Sequence, residues 1–168
     1  GNIFGKGWAG SAQNPCFGRD DEYRVRPATN PRRIMVVGGG SGGMEYAITA
    51  REIGHDVTLF EKSRSLGGAM DWAGNYPHLP NMVMLRYQPE YHRAMMLKHR
   101  VPHELGVEAT LNLIRDHNPD VVVIATGAEP VFPDVPGMEK ARQSGFALSI
   151  DQVLDRTHPA RLGQHVVV

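Results

Sequence analysis

The chain has 168 residues, enough for one domain with a real hydrophobic core, and its 41% apolar and 21% charged content is that of a globular protein rather than a disordered or fibrous one. Lysine plus arginine equals aspartate plus glutamate at 18 each, so no net field draws the chain to nucleic acid or to an anionic membrane. No apolar run approaches the roughly 18 residues of a membrane-spanning helix, and Cys16, the only cysteine, excludes an internal disulfide and a four-thiolate metal site made by this chain alone.

Residues 1–31 are rich in glycine, asparagine, proline and charge without helical or strand period, which predicts an arm or linker. Residues 1–10 also lack the basic-then-apolar order of a secretory signal, so a cytoplasmic location is expected. From Arg33 the pattern changes. Ile34-Met35-Val36-Val37 is a short, continuous apolar run, as expected of a parallel strand buried on both faces. A glycine turn follows, then a helix over 44–53, Gly54 as its closing glycine, and a second strand over 56–61, together a βαβ unit. Prolines 77, 80 and 89 predict an irregular stretch over 67–89. A helix is expected over 90–104, kinked or ended near Arg100 by Pro102, and a strand over 106–111. The β-branched run 120–124 is a further strand, 150–154 a short helix, and 164–168 a last strand.

The chemistry lies in the glycine turn. Gly38, Gly40 and Gly43 satisfy G-x-G-x-x-G between a buried strand and a helix. In that setting the first glycine permits the tight turn, the second lets a pyrophosphate approach the backbone, and the third lets helix and strand pack closely. The helix start, with Ser41, Gly42 and Gly43, offers N–H groups and a partial positive charge to phosphate. The G-K-[ST] of a triphosphatase is absent. Glu61, 18 residues after Gly43 at the end of the second strand, is placed to accept from both ribose hydroxyls of an adenosine and to repel a 2′-phosphate. Lys62 either lies over the adenosine or is simply exposed. Gly67-Gly68 predicts another close backbone approach to the dinucleotide and tilts the choice from NAD towards FAD. His99 and His103 share a helical spacing but lack a third ligand, so no metal site is expected. No residue has the arrangement of a catalytic acid, base or nucleophile.

The stretch 34–68 resembles the FAD-binding signature of the two-dinucleotide-domain, disulfide-reductase-like flavoproteins. Residues 121–127, an apolar strand ending in Ala125-Thr126-Gly127, resemble their second signature, which passes near the cofactor. Gln13-Asn14-Pro15, with Gly18 after it, resembles a segment of the old-yellow-enzyme-related NADH:flavin oxidoreductases, the group of trimethylamine dehydrogenase and 2,4-dienoyl-CoA reductase. The resemblance implies a domain holding FAD, or ADP alone, next to a barrel that carries FMN, with a further NAD(P)H-binding domain and, in the family, a 4Fe-4S cluster. Ser11 stands where the last cluster cysteine would be, and residues 111–118 look shorter than the family's corresponding stretch.

The expectation is therefore an α/β fold: a Rossmann-like parallel sheet with flanking helices and a small antiparallel flap near 107–132, an incomplete disulfide-reductase-like FAD domain. Its expected boundaries are 1–31 for an arm from a barrel domain, 32–163 for the FAD- or ADP-binding domain, and 164–168 for the first strand of an NAD(P)H-binding domain. The absence of an initial methionine and the apolar end suggest a piece of a larger flavoenzyme, inactive alone. The functional expectation is the FAD-binding portion of an NAD(P)H-dependent oxidoreductase passing electrons toward an FMN barrel, with Gly38, Gly40, Ser41, Gly42, Gly43, Glu61, Lys62, Gly67, Gly68, Thr126 and Gly127 at the cofactor. A non-catalytic ADP-binding domain and an NAD-binding module stay open as alternatives, as do the oligomeric state and the substrate.

Overall fold

A computed structural model describes residues 16–19, 21–74, 84–154 and 163–166. In chain order the elements are β1 (Arg33–Val37), α1 (Ser41–Glu52), β2 (Asp56–Glu61), α2 (Ala69–Ala73), α3 (Met84–Lys98), β3 (His103–Leu105), α4 (Leu111–His117), β4 (Val121–Ile124), α5 (Met138–Gln143) and α6 (Ile150–Leu154). The strands form one parallel sheet in the order β3-β2-β1-β4. In this order β1 is central, and the chain crosses from β3 past β1 to β4, which opens a crevice at the carboxyl ends of β1 and β4.

The central strand is apolar throughout because both its faces are covered. Ile34 and Val36, with Val57 and Leu59 of β2, face α1 and pack with its Met44, Ala47, Ile48 and Ala50; Met96 of α3 and Val101 complete this core. Met35 and Phe60 are also buried but take the opposite pleat. There the Phe60 ring meets His117 of α4 edge-on at 5.2 Å. The start of β1 is tied to β4 by a reciprocal pair: the Asp120 N–H donates to the Arg33 carbonyl at 2.9 Å, and the Asp120 carboxylate accepts the Arg33 N–H at 2.8 Å. That hydrogen bond, foremost, holds the Asp120 carboxyl below the usual aspartate range.

Several expected elements move. Of the stretch 67–89 expected to be irregular, 69–73 and 84–89 are helical and 75–83 lie outside the described residues; Pro89 lies inside α3. Its ring is fully buried, so apolar packing offsets the helix hydrogen bond that proline removes. The helix ends at Lys98, close to the kink or end expected near Arg100, and the strand that follows is His103–Leu105 rather than 106–111, whose last residue opens α4. The close of α3 is a Schellman motif, with the Val101 N–H on the Met96 carbonyl and the Arg100 N–H on the Leu97 carbonyl. α1 closes the same way through Gly54 at φ 101, but α3 uses Arg100 at φ 51. A glycine normally marks that position, so Pro102 is the one local signal of the helix end. Gly106 turns the chain after β3, its N–H reaching the Ser63 carbonyl at 2.8 Å. Arg100→Gly is expected to raise unfolding free energy by about 1 kcal/mol, because an L-residue is strained in the left-handed region; chemical denaturation measures it.

The antiparallel flap near 107–132 is not found among the described residues. Thr110 accepts the Leu113 N–H at 3.2 Å and caps α4, Asn118 closes it at φ 46, and β4 then joins the sheet in parallel. The 15 residues between β3 and β4 are thus a helical crossover rather than a hairpin. Of the expected last strand, Gln164, His165 and Val166 form no strand, and Val167 and Val168 lie outside the described residues.

Candidate dinucleotide site

The βαβ unit sets three glycines to three different tasks. A side chain on Gly43 would lie 1.9 Å from the Gly38 carbonyl oxygen, and one on Gly38 would lie 2.3 Å from the Ala125 carbonyl oxygen. Those two positions are glycine because helix, turn and the end of β4 touch there. At Gly40 and Gly42 an added Cβ would meet no protein atom within 4 Å. The space over Gly40 is open, at the start of a twelve-residue helix with no side-chain cap and no acidic residue in its first turn. Beside it the Ser41 hydroxyl oxygen is buried without a hydrogen-bond partner. An uncapped helix start, an orphan hydroxyl and a clear cradle together fit a phosphate group.

Glu61, at the end of β2, lies at the edge of the same turn. One carboxylate oxygen accepts the Gly39 N–H at 2.6 Å and the other the Ser63 N–H at 2.7 Å. Partial burial pushes the Glu61 pKa up, but the N–H groups of Ser63 and Gly39, the Ser63 hydroxyl and the Lys62 charge outweigh it, leaving the pKa below the usual glutamate value. A carboxylate has about four lone-pair directions, so each oxygen can still accept a sugar hydroxyl. Lys62 is exposed.

Because the folded-state pKa is lowered, the folded form holds the proton less tightly than the unfolded chain. The stability contributed by these bonds is full above the unfolded glutamate value, about 4.3, and is lost as pH falls through the folded value. Urea denaturation across that acid range is expected to show a flatter decline for Glu61→Gln than for wild type.

Gly67 and Gly68 also pack closely against the turn and its neighbours. The Gly67 N–H bonds the Gly39 carbonyl at 2.9 Å, and Gly40 and Gly67 form a parallel bridge. A Cβ on Gly68 would lie 3.0 Å from the Gly40 Cα, and one on Gly67 would lie 2.7 Å from the Arg93 guanidinium and 2.9 Å from Asp71 Cβ. This glycine pair therefore clears protein neighbours. Thr126 and Gly127 follow β4 directly and are exposed, with Ala125 against Gly38 and Gly43. All the predicted site residues thus gather around the carboxyl ends of β1, β2 and β4.

Sequence reasoning missed Gly39, Asp71 and Arg93. Gly39 was an unspecified position of the motif, yet a side chain there would lie 2.6 Å from Leu66. Arg93 reaches from α3 to the Leu66 carbonyl, with Nε at 3.0 Å, and to the Asp71 carboxylate at 2.7 Å. No local pattern announces a contact across 27 residues. His99 and His103 stand on a helix end and a strand, not on one helical face, and no group of three metal-ligating side chains occurs among the described residues. Ser11 and Gln13-Asn14-Pro15 lie outside the described residues.

A parallel sheet in this order, a glycine turn opening a helix, and a carboxylate ending the next strand define a dinucleotide-binding domain of the Rossmann type. Comparison with known proteins agrees. The family described as "Pyridine nucleotide-disulphide oxidoreductase" matches residues 4–73. The "NADH oxidase" of Thermoanaerobacter brockii is 37% identical over 128 residues, 76% of this chain and 19% of that protein. The "N,N-dimethylglycine/sarcosine dehydrogenase" of Chromohalobacter salexigens is 34% identical over 135 residues, 79% of this chain and 19% of that protein. A solved 2-naphthoyl-CoA reductase superposes with a TM-score of 0.76 at 34% identity, over 84% of this chain and 21% of that one. Residues 4–73 thus match the pyridine nucleotide-disulphide oxidoreductase family, and the chain is similar over most of its length to portions of larger oxidoreductases. It spans about a fifth of the length of the relatives it matches. No helix among the described residues is long and apolar enough to cross a membrane.

Proposed function

We propose that this chain is the FAD-binding portion of an NAD(P)H-dependent flavin oxidoreductase, gripping the ADP half of the cofactor. The observation that carries the reading is the buried, unpartnered Ser41 hydroxyl beside the open space over Gly40. The amides of Ser41, Gly42 and Gly43 would hold the pyrophosphate, with Gly40 leaving room for it. Glu61, kept ionised by Gly39 and Ser63, would orient the adenosine ribose, and Lys62 would be free to lie along the adenosine. Gly38, Gly67 and Gly68 shape the turn, while Thr126 and Gly127 border the path toward the flavin. The bound flavin supplies hydride acceptance and electron release, so this chain's part is binding and orientation.

The relatives support the wider frame. Their names include a dehydrogenase, an oxidase and an alkene reductase, all several times longer than this chain. In the proposal, residues 32–163 form the FAD domain, 1–31 link it to an FMN barrel, and 164–168 lead into an NAD(P)H-binding domain. Electrons would pass from nicotinamide through FAD toward FMN, with a 4Fe-4S cluster between them if the preceding chain supplies its ligands. The proposed location is cytoplasmic. Purified protein, denatured and analysed for released nucleotide, tests the reading. Flavin absorbance and released FAD support it; a colourless protein releasing ADP favours a structural ADP-binding domain; tighter binding of NADH than of FAD overturns it in favour of an NAD module.

A further inference from the structure

Arg93 is far from the glycine motif in sequence and absent from its chemistry, yet it is tied to one wall of the site. Its side chain is about one-third exposed, and its guanidinium makes three contacts at once: two nitrogens on the Leu66 carbonyl and one on Asp71, in the first turn of α2. Leu66 is buried in the core under Gly39. The next residue, Gly67, donates its N–H to the Gly39 carbonyl, and Gly68 packs on Gly40. We propose that Arg93 is a positioning residue of the dinucleotide site: its fork fixes Leu66-Gly67-Gly68 against Gly39-Gly40 and so sets the width of the space over Gly40.

The proposal rests on the dinucleotide reading above. A guanidinium suits the task because it is planar and can bond a carbonyl through two nitrogens while one of them, here Nη2, also meets a carboxylate; an ammonium is a point charge and cannot reproduce that fork. Gly67 is then explained from both sides. At φ 134 it takes a conformation that disfavours a side chain, and the volume a side chain would occupy holds Arg93 and Asp71.

The test compares Arg93→Met, Arg93→Lys, Asp71→Asn and the Arg93→Met/Asp71→Asn double variant in the full chain. Val101→Ala, which trims the core away from the site, is the stability control. Affinities for ADP and FAD are measured by titration, thermal midpoints by melting, and backbone amide exchange by NMR without nucleotide. Arg93→Met is expected to weaken ADP binding about tenfold and to speed exchange of the Gly67 amide more than that of Gly39, whose acceptor is Glu61. Arg93→Lys should recover only part of the affinity, and the double variant should be little worse than Arg93→Met. Val101→Ala should lower the midpoint with affinity unchanged. Wild-type affinity in Arg93→Met, or affinity that falls with midpoint alike in Val101→Ala, overturns the proposal and leaves the dinucleotide reading standing. A wild-type protein that binds neither ADP nor FAD overturns both.

Discussion

Gly40→Ala is expected to weaken ADP or FAD binding on the order of a hundredfold, equivalent to about 3 kcal/mol, while changing unfolding free energy by less than about 1 kcal/mol. The backbone at Gly40 lies at φ −73 and ψ −179, an extended conformation open to any residue, and its Cβ would touch no protein atom within 4 Å. Nothing in the protein resists the methyl group. A pyrophosphate lying over the turn would, because the methyl occupies the place where its oxygens must approach the helix amides. Gly43→Ala is the opposite case. There the Cβ would lie 1.9 Å from a backbone carbonyl that cannot rotate away, so α1 must separate from β1. A loss of about 3 kcal/mol in stability is expected, with binding lost as a consequence. Calorimetric titration and urea denaturation of the two variants separate the outcomes. Equal affinities of Gly40→Ala and wild type would remove the pyrophosphate from this turn.

Glu61→Arg is expected to lower ADP affinity about a hundredfold and to cost about 1–3 kcal/mol of stability. Two losses act together. The substitution removes the carboxylate that would accept the ribose hydroxyls. It also strips acceptors from the Gly39 and Ser63 amides, of which the Gly39 amide lies in the buried part of the turn. The fold therefore does not emerge untouched, and affinity must be compared at temperatures where the variant is folded. Glu61→Gln, which keeps one acceptor oxygen, should fall between the two. An Arg variant that still binds ADP as wild type does would leave Glu61 with a structural duty only.

Much of this site was legible beforehand because its determinants are local. The run Ile34-Met35-Val36-Val37, the spacing of Gly38, Gly40 and Gly43, and the strand ending at Glu61 lie within 28 residues, and the βαβ unit formed where that pattern placed it. The short helix at 150–154 was equally readable. Where a local signal was absent or ambiguous, the reading slipped. Arg100 holds a left-handed turn without a glycine, so only Pro102 marks the end of α3 and nothing local marks β3; Pro89, a usual helix breaker, sits inside α3, where its ring is fully buried.

By itself the sequence determined the alternation of strand and helix and the chemistry of the first turn, since glycine spacing and apolar period act over a few residues. Only the tertiary structure decided what each glycine faces: Gly40 open space, Gly43 a carbonyl, and Gly67 a guanidinium carried on another helix. It also turned the expected flap into a crossover helix feeding a fourth parallel strand. Those outcomes depend on contacts between segments tens of residues apart, such as Arg93 with Leu66 or Arg33 with Asp120, and such contacts exist only once the sheet has assembled.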